Sequence, residues 1–264
     1  MMKKRIFLAT LILLLFPVLG TAQSAFNGTW KFKLDNAQFA KKPDVYLLRN
    51  GTYACKTCVP PITVKADGRD HAVTGHPYFD SMAVKVVDDH TIEQTNKKNG
   101  KVVGTSRTSV SGDGNTSNFE FSDSSATNAD PVTGKGEQTR VSKGRAGSHA
   151  ISGSWRTTKF ENISDNGLLV TYKVDGNELD MTTPTGQSYA AKLDGTDAPY
   201  KGDPGTTSVS VKRISDNVVE ETDKRNGKVT YVNTMTIAPD GKTMTVDVND
   251  KLHGTTSKFT AEKQ

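Results

Sequence analysis

The chain is short of the residues from which active sites are usually built. It carries 2 cysteines, 5 histidines and 2 tryptophans among 264 residues. It has no Gly-x-Ser-x-Gly elbow, Walker-type phosphate loop, zinc-protease His-Glu motif or calcium loop, which removes the commonest catalytic readings. No block of lysine and arginine is interleaved with aromatic residues, so nucleic-acid binding has no footing. Beyond Leu19, no apolar run approaches the roughly 20 residues that a membrane helix needs. Hydrophobic residues make up only 34% of the chain, with much Thr, Ser, Gly and Asp. That is too little for a helical core but normal for β walls in which one face of each strand meets water.

What is present begins with an export signal. Lys3, Lys4 and Arg5 form a basic head, Ile6 to Leu19 form an apolar run, and Gly20 and Ala22 stand at −3 and −1 of a cleavage site. Residues 1–22 therefore read as a signal peptide, and the mature protein is expected to be secreted or periplasmic. Removing the three basic residues leaves 31 Lys and Arg against 29 Asp and Glu, close to neutral.

The rest of the chain is one unit written twice. FNGTWKF at Phe26 returns as ISGSWRT at Ile151, and AVKVVDDHTIEQTNKKNGKVV at Ala83 returns as SVKRISDNVVEETDKRNGKVT at Ser210. From Asp67 onward the offset is a constant 127 residues. The repeat is too long for a solenoid unit, so two domains are expected, over 26–143 and 149–264. Turn signals punctuate each copy: Asn50-Gly51 and Asp175-Gly176, Asn99-Gly100 and Asn226-Gly227, Asp113-Gly114 and Asp240-Gly241. Such pairs favour tight hairpins because the central residues take positive φ. Between them lie alternating runs rich in Val, Thr and Ile, without a helical segment. Eight or nine strands in meander order close most economically as an antiparallel up-and-down barrel, with a two-sheet sandwich as the rival.

Each copy opens with Gly-x-Trp, as Gly28-Thr29-Trp30 and Gly153-Ser154-Trp155. Followed by such a meander, this resembles the lipocalin and calycin group, and the whole mature chain resembles tandem lipocalin-like domains of secreted bacterial proteins. The resemblance implies that Trp30 and Trp155 plug the closed barrel ends, each beneath a basic residue from a late strand. Arg140 fits that role in the first copy, whereas the second offers only Lys258 or Lys263.

Cys55 and Cys58 sit in YACKTCVPP. A thioredoxin-type site needs the first cysteine at a helix N-terminus, which Pro60 and Pro61 oppose, and haem attachment needs a histidine where Val59 stands. Cys55, Cys58, His71 and His76 formally match a two-Cys, two-His zinc spacing. The intervening ADGRDHAVTGH lacks the required helix, however, and the expected compartment is oxidising. At an offset of 127 the cysteines fall on Thr182 and Thr185, so the fold makes this turn without them. A structural disulfide is the expected reading, with a labile redox pair as the alternative.

The positions matched to His71, His76 and His90 hold Ala198, Asp203 and Asn217, so the shared unit needs none of these histidines. A three-residue turn over Asp88–His90 sets Lys85 opposite Glu93, and the same arithmetic sets Lys212 opposite Glu220. These pairs are expected to face water, the alternative being that they orient a polar ligand inside the barrel. The expectation is a secreted, non-catalytic protein without a cofactor, holding a small hydrophobic or amphipathic ligand in a barrel. A cell-envelope interaction module with filled barrels is the alternative, and a redox role for Cys55 and Cys58 is the third.

Overall fold

The computed structural model describes residues 24–125 and 130–264. The signal-peptide reading over 1–22 lies outside the described residues. The first ten strands are β1 (Gly28–Gln38), β2 (Asp44–Arg49), β3 (Thr52–Cys55), β4 (Ile62–Lys65), β5 (Asp67–Ala72), β6 (Ser81–Val86), β7 (Thr91–Lys98), β8 (Lys101–Val110), β9 (Thr116–Asp123) and β10 (Val132–Lys143). The second ten are β11 (Gly153–Ile163), β12 (Leu169–Asp175), β13 (Glu178–Thr182), β14 (Ser188–Lys192), β15 (Asp194–Pro199), β16 (Ser208–Ser215), β17 (Val218–Arg225), β18 (Lys228–Ile237), β19 (Thr243–Asp250) and β20 (Thr255–Lys263). A 3-10 turn, Asp165–Gly167, precedes β12.

All pairing is antiparallel, in two nearly closed barrels of ten strands each, rather than eight or nine. The edge strands of each sheet, β4 with β5 and β14 with β15, follow one another in sequence. The second seam is partly zipped by reciprocal Ser188–Lys201 hydrogen bonds of 3.0 and 2.9 Å.

The barrels do not follow the repeat boundaries. The first barrel runs β4-β3-β2-β11-β10-β9-β8-β7-β6-β5, and the second runs β14-β13-β12-β1-β20-β19-β18-β17-β16-β15. The opening strand of each copy is thus installed in the barrel of the other. β1 pairs with β12 and β20, setting Gly28 opposite Tyr172. β11 pairs with β2 and β10, setting Gly153 opposite Tyr46. The chain crosses between barrels after β1 and again after β11.

Local chemistry agrees with this architecture. At Asn50-Gly51, Asn99-Gly100 and Asn226-Gly227 both residues have positive φ, as tight hairpins require. The turn read at Asp175-Gly176 is one residue later, because Asp175 pairs with Glu178 and leaves Gly176-Asn177 as its centre. Alternation places one apolar face of each strand inside. One core gathers Trp155, Ile92, Val84, Met82 and Tyr53, and the other Trp30, Leu179, Met235, Ile237 and Met244.

The tryptophan ends explain the Gly-x-Trp motif. Gly28 and Gly153 have φ of +130° and +133°, and a Cβ on Gly153 would lie 2.3 Å from the Ser142 carbonyl oxygen. Each indole is fully buried and donates to a carbonyl four residues back, Trp30 to Phe26 at 2.9 Å and Trp155 to Ile151 at 2.7 Å. A cation covers each ring. The strand exchange corrects the expected partners: Arg140 stands 3.9 Å from the centre of the Trp155 ring, not over Trp30, and Lys263 stands 5.0 Å from that of Trp30. The second copy therefore has its basic lid after all. Arg140 also donates to the carbonyls of Gly114, Ala150 and Ser152, whereas among the described residues Lys263 donates to that of Ala25 alone.

Candidate functional site

The crossing after β1 builds a cleft. Phe39, Ala40, Lys42 and Pro43 pass from the second barrel to the first and roof a space of about 580 Å³ lined by residues of both. Phe160 of β11 and Phe259 of β20 meet Phe39 there at ring-centre distances of 5.5 and 6.3 Å. The contacts continue to Phe119 and Phe121 in the first barrel and to Phe32 in the second, so aromatic rings run from one barrel to the other. Val248 and Leu252 extend the apolar lining.

Polar groups converge on the same space. Asp44 accepts from Thr57 at 3.2 Å, and burial holds its carboxyl above the ordinary carboxylate range. His253 is oriented by Asp250, 2.6 Å from its Nδ1, and Lys42 donates to the His253 carbonyl at 2.8 Å. A mainly apolar cleft with a few oriented polar groups has the character of a small-molecule site.

Cys55 and Cys58 form a disulfide with Cα atoms 5.5 Å apart, and Cys58 lines the cleft. A loop of this size contributes about 2 kcal/mol in the chain-entropy account. The strand register corrects the matched positions: Cys55 faces Tyr46 as Met181 faces Tyr172, so its counterpart is Met181 rather than Thr182. The second copy's turn is one residue longer, and hydroxyls replace sulfur there, with Thr183 and Thr185 both donating to the side-chain Oε1 of Gln187. Of the formal zinc set, His71 bonds Asp67 at 2.8 Å, and His76 stacks on Phe79 with ring centres 5.0 Å apart.

Lys85 is opposite Glu93 on the outer face, 3.4 Å apart, and Glu93 is also bound by Arg107. Lys212 is opposite Glu220 in the matching register.

The second barrel holds a feature that the sequence reading passed over. Val219, Glu221 and Asp223 alternate on the inner face of β17, and both carboxyls are buried. Tyr189 donates its hydroxyl to Glu221, while the Asn233 side-chain nitrogen lies 3.2 Å from a carboxyl oxygen of each acid. Burial first, and then the charge of Glu221, pushes Asp223 up to about 8, and burial likewise raises Glu221. At the matching positions the first barrel carries the neutral amides Gln94 and Asn96, with Ser106 donating to Gln94 at 3.3 Å. The signal was in the alternation: Val219-x-Glu221-x-Asp223 repeats Ile92-x-Gln94-x-Asn96 with acids for amides.

Comparison with family models, curated proteins and solved structures finds no match.

Proposed function

We propose that this is an exported, lipocalin-like binding protein that holds a small amphipathic molecule in the cleft between its barrels. The observation that carries the reading is the cleft itself, where Phe39, Phe160 and Phe259 converge beside Asp44 and His253 in a volume of about 580 Å³. Its size lies within the range of small-ligand sites, and its rings supply apolar area at low entropic cost. A hydrophobic cluster packs around each tryptophan inside its barrel, and the reading puts the apolar body of the ligand at the junction of the barrels.

The test is titration with N-phenyl-1-naphthylamine, a neutral dye that brightens in apolar surroundings. Saturable enhancement that Phe39→Ala weakens by about tenfold, the equivalent of losing one well-packed ring, supports the reading. Absence of saturable enhancement with the folded protein overturns it.

A further inference from the structure

We propose that Glu221 and Asp223 receive the ammonium or guanidinium head of an organic cation whose apolar body lies in the cleft. This rests on the reading of the cleft as a ligand site and names the ligand's chemical class. The two places are joined by Tyr231, which lines the cleft and stands opposite Asp223 in the β17–β18 register.

Several independent observations point to a cation as the partner of these acids. Asp223 is 9% exposed, and its Oδ1 is buried without a hydrogen-bond partner. Among the described residues neither carboxyl forms an ion pair. A buried acid pair without a counter-charge is costly. The fold does not require it, since the first barrel closes around amides at the same positions.

The surroundings favour an organic cation over a metal ion. Among the described residues no group of three or more His, Cys, Asp or Glu is arranged to hold a metal. Aromatic rings attend the acids instead. Tyr172, Tyr189 and Tyr200 all feel the charge of Glu221, and Tyr189 and Tyr200 pack with ring centres 5.7 Å apart. Phenol faces attract ammonium and guanidinium groups, and carboxylates give them charge-assisted hydrogen bonds.

The experiment compares decylamine, decanol and decanoate at about pH 8, below their micellar concentrations, as competitors of N-phenyl-1-naphthylamine. The expected order is decylamine tighter than decanol by about tenfold or more, with decanoate weakest, as a desolvated charge pair requires. In Asp223→Asn the amine should lose that advantage while decanol is unchanged. Equal binding of amine and alcohol by the native protein, or an amine preference that survives Asp223→Asn, overturns the proposal. The acid pair is tested separately from the cleft with n-butylammonium chloride, which has almost no tail. It should raise the melting temperature of the native protein more than equimolar sodium chloride does, and should not do so in Asp223→Asn. Absence of that difference overturns the cation site whatever the dye shows, whereas dye failure with butylammonium stabilisation overturns only the cleft.

Discussion

Replacing Asp223 by asparagine should make the protein more stable, by an amount that depends on pH. The folded chain holds the carboxyl proton up to about pH 8, whereas the unfolded chain releases it near the ordinary value of 3.8. Between those values the unfolded state binds fewer protons, so stability falls as pH rises, and above them the loss is complete. The slope for one group is about 1.4 kcal/mol per pH unit, giving a cost of about 4 kcal/mol at neutral pH. An amide of the same shape carries no such cost, and Asn96 occupies the matching position in the first barrel. Urea unfolding followed by tryptophan fluorescence at about pH 5 and pH 7 should therefore show Asp223→Asn gaining about 2–3 kcal/mol more at the higher pH. The exposed carboxylates whose pKa is lowered by local hydrogen bonds, Asp67, Asp88, Asp113 and Asp194, push the opposite way. They are common to both proteins and cancel in the difference. A gain that does not change between the two pH values would refute the argument.

Two further outcomes follow from the architecture. Arg140→Met strips donors from three carbonyls and uncovers Trp155, and should cost about 2–4 kcal/mol; Lys263→Met, which frees one carbonyl, should cost clearly less in the same urea titration, and equal costs would contradict the assigned lids. Trypsin cleavage in the exposed Lys143–Arg145 segment should leave the two fragments eluting together on gel filtration until urea is added, because each retains a strand inside the other's barrel; separation in native buffer would contradict the strand order.

Much of the fold is written in local pattern. Alternation fixes which residues of β6, β17 and β19 face inward, and Asn-Gly pairs fix three hairpins, because both depend on near neighbours. The exchange of β1 and β11 is invisible at that level. Both strands carry Gly-x-Trp, both fit beside a tyrosine of either barrel, and nothing local tells the two placements apart. The basic lid of the second copy was obscured by length. The connection after Asp250 is shorter than that after Asp123, which shifts Lys263 out of the constant offset and into the position of Arg140. Glu221 and Asp223 were hidden by company, since Glu220, Thr222 and Lys224 make the stretch look solvated throughout. The cleft was beyond reach for a different reason: Phe39, Phe160 and Phe259 meet only because the chain crosses between barrels.

The place of β1 also sets the order in which the molecule can be completed. The first barrel is drawn from one continuous stretch, β2 to β11, and can close while the remainder is still being made. The second lacks a wall until β1 meets β20, which is made much later. During synthesis β1 must wait, with Trp30 uncovered, for β12 to pair one of its edges and for β20 to pair the other. Pairings between distant parts of a chain form slowly, and unpaired edges invite aggregation. The two lysines and one acid of β1, Lys31, Lys33 and Asp35, are the kind of edge charges that keep such a strand soluble through that interval.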